Sequence, residues 1–350
     1  MLFYAYLYVF SMLSLFASIS TKSNTNFIMI TLLILTILFS GLRYGVGVDY
    51  FSYNNLFNAI GVGGYAPVEI GFVTLSSFFL SLGFKTQFLF LLYASIIVAL
   101  FINFYKKYSS YPILSIVLFI LMPIFFMSSF NGIRQFMAIS LFLFALQYLI
   151  NRKLFQYTLA ISVASMFHQS ALLMLPLYFI IHNRPSIKLY LFLSVAYIMI
   201  LQGSQFILFH IMNFSHIYYL QTERFQGAVD FKIYGFIFFF LLLYMLREKL
   251  IENRSENSIF INMLFMGLLI LLTPVFSNLP YMLVMRMSIY FLIVVPILLV
   301  NILPIITNRP LKNMYFVCLI IFITIYYWAT LYFKGGVYNL LPYNFNLALY

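Results

Sequence analysis

Four polar islands in an otherwise apolar chain hold the residues able to do chemistry. The first is the stretch from Arg43 to Tyr53, which carries Gly45, Gly47, Asp49 and Tyr50. An arginine and an aspartate this close to lipid are costly unless they face water, a ligand or each other. Glycines there let the backbone approach a ligand closely. The second is Asn131-Gly132-Ile133-Arg134-Gln135, which opens a helical run. Arg134 offers a planar fork of donors suited to phosphate, and a helix N-terminus beside it adds positive dipole. The third is Phe167-His168-Gln169-Ser170, which interrupts the apolar run 155–182. The fourth is Arg286, which enters an apolar run almost without polar company.

These residue types suit the departure of a polyanion. A diphosphate leaving group needs fixed positive donors, and Arg43, Arg134 and Arg286 are candidates. An attacking hydroxyl needs positioning and a base, and Asp49 or His168 would serve; the residue types leave both open. Each has a plainer reading. Arg43 pairs with Asp49 to close a loop, Arg134 reaches to the interface, and His168 is a hydrogen-bonded structural residue. His168 lies about 22 Å along a helix from Lys153, near the opposite membrane face, where a polar break must line a cavity or be buried.

The elements that position these islands are apolar helices. Of the 350 residues, 64% are hydrophobic, 21% aromatic and 7% charged, with mean hydropathy +1.03. That composition predicts an all-α polytopic membrane protein and excludes a soluble domain. Helices are expected over 2–19, 27–42, 86–105, 111–131, 133–150, 155–168, 170–182, 189–212, 233–246, 258–275, 287–305 and 313–333, about 12 transmembrane spans. Residues 68–83 form one more apolar helix, placed as interfacial or re-entrant within an outer-face motif loop, 43–85. The whole chain, 1–350, is expected to form a single polytopic domain, with a further outer loop over 213–232. Residues 1–19 read as a first span rather than a cleavable leader.

The net charge of +12 follows the positive-inside rule rather than a nucleic-acid surface. Lys22, Lys106, Lys107, Arg152, Lys153, Arg184, Lys188, Arg247, Lys249, Arg254, Arg309 and Lys312 are assigned to the cytoplasmic side. Arg43, Asp49, Glu69, Arg134 and Arg224 then face outward. The single Cys318 gives no disulfide framework, and the histidines are scattered without ligand spacing. No metal and no cofactor are expected.

The islands together resemble the EpsG family of bacterial membrane proteins, which includes Wzy-type polymerases of O-antigen, capsule and exopolysaccharide. The resemblance rests on Arg43, Gly47-Val48-Asp49-Tyr50 and Tyr53; on Glu69 in Val68-Glu69-Ile70-Gly71-Phe72; and on Ile133-Arg134-Gln135 with Ala138. It continues through Arg152-Lys153, Met166-Phe167-His168-Gln169-Ser170-Ala171, Arg286 with Tyr290, and Pro342-Tyr343. It implies a GT-C-like membrane glycosyltransferase in the bacterial cytoplasmic membrane. Its substrates would be oligosaccharide repeat units on undecaprenyl diphosphate, joined at the outer face. Asp49, His168 and Arg134 would be catalytic. Arg43, Tyr50, Tyr53, Glu69, Gln135, Gln169, Arg286, Tyr290, Arg224 and Tyr343 would bind substrate. The flippase and chain-length regulator of the same pathway are the implied partners beside the bilayer. A flippase is the first competing reading, but no internal repeat of the kind transporters show is evident. An O-antigen ligase ranks next, and its usual large outer loop is missing. A non-catalytic scaffold is the blandest reading.

Overall fold

A computed structural model of the chain describes residues 1–20, 25–64, 66–211, 232–276 and 281–347. Among them the chain is all-α except for one two-residue strand pair. It forms two compact units, one of Met1–Tyr178 with Ile306–Tyr350 and one of Phe179–Ile305.

The first unit carries α1 (Leu2–Ser20), α2 (Thr25–Gly41), α3 (Tyr50–Gly61), α4 (Ile70–Ser81), α5 (Thr86–Tyr108), α6 (Pro112–Leu121), α7 (Ile133–Ile150), α8 (Leu154–Ser165) and the final helix Arg309–Lys334. α5 runs at its centre, packed on α2, α6 and α7, and α7 packs in turn on α8. The fully buried Leu89, Phe101 and Ile139 belong to these faces.

Polar ties mark the two ends of this bundle. At one end Lys106 reaches Asn26, Lys107 reaches Gln147 and Lys312 reaches Tyr111, each at 3.2 Å. At the other, Gln87 donates through Nε2 to the carbonyls of Gly41 (2.7 Å) and Arg43 (3.2 Å). The chain therefore leaves the bundle after α2 and re-enters at α5 on the same end. α3 and α4 fill this excursion. Each has 12 residues, about 18 Å of helix, against about 30 Å of hydrocarbon core. The C-terminal segment closes over the same end. Arg43 and Tyr44 pair antiparallel with Phe345 and Asn344, and Asn339 exchanges hydrogen bonds with the Gly45–Gly47 backbone.

Within the second unit, asparagines satisfy buried backbone between helices. Asn262 accepts from Tyr190 (3.0 Å) and donates to the carbonyls of Ile181 and Asn183. Asn301 donates to Asn257, which donates to the carbonyl of Leu250. Such ties are needed where no water reaches the backbone.

Five runs among the described residues are long and apolar enough to cross a membrane: Leu2–Ile19, Thr86–Tyr108, Ile133–Ile150, Leu283–Ile305 and Arg309–Lys334. Shorter apolar helices accompany them, α2, α4, α6 and α8 among them.

Several boundaries depart from expectation. The run 111–131 is not one helix. α6 stops at Leu121, just before Pro123, and a 3-10 turn Met127–Asn131 follows, because proline cannot donate to the preceding turn. The run 170–182 contains a 3-10 segment, Gln169–Met174, and a single turn, Leu177–Ile180. The helix expected over 233–246 extends over Lys232–Asn253, so Arg247, Glu248, Lys249 and Glu252 are helical. The run 258–275 is divided into Asn257–Leu271 and Thr273–Phe276, and 287–305 into Tyr281–Leu292, Val295–Asn301 and a short 3-10 turn. α3 was not anticipated at all.

Candidate functional site

Glu69 is the meeting point of three of the first unit's polar stretches. It stands at the N-terminal end of α4, but its side chain makes no capping bond. Instead Oε2 accepts a short ion-paired hydrogen bond from Arg134 Nη1. Oε1 lies 3.2 Å from His168 Nδ1, near enough for an ion pair, though too poorly aligned for a full hydrogen bond. The same oxygen accepts from the backbone N–H of Gln169 at 3.3 Å. The Glu69 side chain is 11% exposed, while those of Arg134 and His168 are 28% and 33% exposed. The carboxylate is thus the floor of the cluster and the two basic groups are its open side.

Local sequence explains why these three residues meet. Arg134 is the second residue of α7, which starts after Gly132. α8 ends at Ser165, and His168 is extended (φ −159°, ψ 120°) before the 3-10 segment begins. The break expected at 167–170 is therefore present. Gly71 brings the two stretches together. Its N–H donates to the Met166 carbonyl at 2.8 Å, and a Cβ at position 71 would lie 2.8 Å from Met166 Cβ and from that same carbonyl oxygen. No residue larger than glycine allows this approach, which sets Glu69 against the chain at His168.

Tyr53, from α3, forms a further wall. Its hydroxyl accepts a long hydrogen bond (3.5 Å) from the N–H of Arg134, one of the first-turn donors that have no partner within the helix. Its ring rests on Phe57 and Phe72, which stack on each other at 5.4 Å. Burial would raise the Glu69 carboxyl. His168, its own backbone N–H and the Arg134 charge outweigh burial and bring it down to about 2. Burial pushes the Tyr53 phenol up, while Arg134 opposes the shift and Asp49 adds to it.

Arg43 sits differently. It is 2% exposed and donates to the carbonyls of Ser40 (2.6 Å), Val46 (3.2 Å) and Phe130 (3.2 Å). Its guanidinium lies over the rings of Phe130 (4.6 Å) and Phe90 (5.2 Å). Arg43 thereby ties three backbone segments together. Tyr50 and Tyr343 are likewise built into the scaffold. Tyr50 donates to Gln87 Oε1 at 3.0 Å and stacks on Phe90. Tyr343 donates to the Phe39 carbonyl and stacks on that ring. Gln135 is buried within α7, and Gln169 is exposed beside Glu69.

Asp49 occupies the N-cap position of α3, half-buried, without capping it. Its loop is pinned by residues that sequence reasoning did not single out for this task. Asn131 Oδ1 accepts from the N–H of Val48 at 2.7 Å, and the carbonyl of Asn339 accepts from that of Gly47 at 2.8 Å. Gly47 has φ 97°, and a Cβ there would meet Asn131 Oδ1 at 2.8 Å. The paired glycines were the available signal. Arg286, which is exposed, and Tyr290, which is buried, belong to the second unit. Arg224 and nearly all of the loop 213–232 lie outside the described residues.

Residues 25–345, which span the whole of this constellation, match the model of the EpsG family. The chain belongs to the EpsG family. It is thereby a multi-pass membrane protein linked to exopolysaccharide biosynthesis. No curated protein and no solved structure matches it. In this EpsG-family chain the family match covers Glu69, Arg134 and His168 together, so the cluster falls within the shared region rather than in an appended segment.

Proposed function

We propose that this EpsG-family protein is a polysaccharide polymerase that joins oligosaccharide repeat units carried on undecaprenyl diphosphate. The observation that carries the reading is the convergence of Arg134 and His168 on Glu69. Glycosyl transfer from a diphosphate draws on a fixed cation for the leaving group and a base for the attacking hydroxyl, and Arg134 and His168 stand side by side for those two roles. In the reaction, a hydroxyl oxygen of the acceptor sugar attacks the anomeric carbon of the donor. The bond from that carbon to the diphosphate oxygen breaks, and its electron pair leaves with the diphosphate. Arg134 offsets the charge that develops on the leaving group, and His168 takes the proton of the attacking hydroxyl. The glycosyl–diphosphate bond supplies the energy, so the step needs no nucleotide sugar.

The reading places the cluster at the outer face of the bacterial cytoplasmic membrane. The separation of Lys106, Lys107 and Lys312 from Gly41 and Gln87 at opposite bundle ends supports that placement under the positive-inside rule. A GT-C-like architecture of about 12 spans belongs to the same proposal, with the shorter apolar helices other than α4 crossing in tilted or paired form. The flippase and chain-length regulator of the pathway would act on its substrate and product.

Deletion of the gene, with surface polysaccharide resolved on a gel, tests the reading. The expected result is loss of the ladder with single-repeat product retained. Loss of all surface sugar would assign the protein to export instead, and an unchanged ladder would remove it from polymerisation.

A further inference from the structure

We propose that Glu69 is a positioning residue rather than a substrate ligand: its carboxylate holds Arg134 on one oxygen and fixes the proton of His168 on Nδ1 with the other. The proposal rests on the polymerase reading and assigns a role within that site. Three observations carry it. First, both oxygens are already engaged by protein donors, Oε2 by Arg134 and Oε1 by the N–H of Gln169 with His168 Nδ1 beside it. Second, the carboxylate is the most enclosed of the three side chains, 11% exposed. A substrate reaching from the open side meets Arg134 and His168 first. Third, a carboxylate in direct contact with a diphosphate would repel it, whereas one behind the arginine and the imidazole does not bring like charges together.

The geometry determines what the imidazole can do. Glu69 accepts and does not donate when ionised, and it stays ionised because its carboxyl is held low by its partners. A neutral His168 facing such an acceptor keeps its proton on Nδ1. Nε2, the nitrogen not committed to Glu69, then carries the lone pair that takes the acceptor hydroxyl's proton. This is the orienting role that a buried carboxylate plays for histidine bases in general. The other polar groups around the pair are Arg134 from α7, Tyr53 from α3 and the Gln169 N–H. Arg134 and the Gln169 N–H present donors toward the carboxylate, and the Tyr53 hydroxyl is engaged as the acceptor of the Arg134 backbone N–H.

An amide cannot replace this carboxylate. Glutamine has one acceptor oxygen and one donor NH2. With the oxygen toward Arg134, the NH2 faces the N–H of Gln169 and forces the proton of His168 to Nε2. With the oxygen toward Gln169 and His168, the NH2 faces the Arg134 guanidinium. Either arrangement sets a donor against a donor. A shortened carboxylate keeps both acceptors, at the cost of reach. The order of two variants therefore separates charge pattern from shape: the positioning role predicts that Asp at 69 outperforms Gln, and a role in shape or packing predicts the reverse.

The test uses the full chain in lipid nanodiscs, with the lipid-diphosphate-linked repeat unit extracted from the deletion strain as substrate. Turnover is read per molecule of monodisperse protein. Glu69→Gln is expected to lose about 100-fold or more in kcat with KM within about threefold of wild type, and Glu69→Asp to lose about tenfold. A kcat for Glu69→Gln equal to or above that of Glu69→Asp would overturn the proposal. So would a raised KM with kcat retained, which is the signature of a substrate ligand. Failure of both variants to give monodisperse protein would also overturn it, since Glu69 would then serve folding. Wild-type protein that makes no polymer from these repeat units would refute the polymerase reading itself, and no variant enters that outcome.

Discussion

Arg43 and Arg134 are read alike in the sequence, each an arginine beside glycine at the outer end of an apolar helix, yet the molecule uses them in opposite ways. Arg43 turns inward, with three backbone carbonyls and two phenylalanine rings around it. It joins the end of α2 to Phe130, one residue before Asn131, which in turn holds Val48. Arg134 turns outward and meets a carboxylate. A guanidinium surrounded by neutral carbonyls keeps its charge but offers little of it to a ligand. A guanidinium held at one nitrogen by an ion pair retains donors on its exposed side. What separates the two is the kind of acceptor each finds, and that depends on chain segments far away in sequence.

The comparison is broken most directly at Arg43. Replacement by Ala would leave the Ser40, Val46 and Phe130 carbonyls unpaired in a buried site. The expected cost is about 3–5 kcal/mol of stability, visible as a large drop in thermal unfolding temperature and in the amount of protein in the membrane. A variant with normal amount and melting behaviour but no activity would return Arg43 to the substrate site.

Acidity tests the Glu69 side. The folded carboxyl lies at about 2 against an ordinary value of 4.5. A depressed carboxyl contributes stability that is complete above the unfolded value and is lost as pH falls through the folded one. The stability difference between wild type and Glu69→Gln should hold constant from pH 7 to about 5 and shrink between about 4.5 and 2. A difference that does not decline as pH falls from about 4.5 to 2 would contradict an ionised Glu69. Detergent-solubilised protein followed by thermal unfolding at each pH gives the measurement.

Arg134→Lys sharpens the same contrast through activity. Lysine keeps the charge and loses the planar fork that reaches Glu69 and, in the proposed reaction, a phosphate oxygen at once. Polymer formation should fall about 100-fold, in line with the loss of one oriented donor to a developing anion, while the amount of folded protein stays near wild type. A normal ladder in this variant would make Arg134 an anchor at the interface.

Much of this architecture is legible in the sequence because hydropathy reports helices directly. The starts of α1, α2, α5 and α7 lie within two residues of expectation, and the break at His168 is announced by three polar residues inside an apolar run. α3 was hidden because Ser52, Asn54, Asn55 and Asn58 give it the composition of a loop. Its helical form depends on burying Tyr50, Tyr53, Phe57 and Ile60 along one face. The role of Gly71 was also hidden. A lone glycine near a helix start carries no mark of what it touches, and its contact at Met166 lies many residues away. Asn339, which pins the Gly45–Gly47 turn from the far end of the chain, is invisible for the same reason. Hydropathy sees local environment, whereas the site is assembled from long-range backbone contacts.

The smallest expected effect separates two tyrosines of one helix. Tyr50 and Tyr53 both begin α3, and both resemble ligand-binding aromatics in the sequence. Tyr50 donates to Gln87 Oε1 at 3.0 Å, and the same Gln87 ties α5 to the carbonyls of Gly41 and Arg43. Tyr50→Phe keeps the ring stacked on Phe90 and removes only the donor. The loss should be about 1 kcal/mol, because one buried acceptor is left unpaired, with activity per folded molecule unchanged. Tyr53→Phe removes instead the acceptor of the Arg134 N–H, so it should lower activity about two- to threefold through the placement of Arg134 with little change in melting temperature. If Tyr50→Phe lowered turnover and left stability intact, Tyr50 would reach the substrate, and the boundary between scaffold and site would pass on the other side of it.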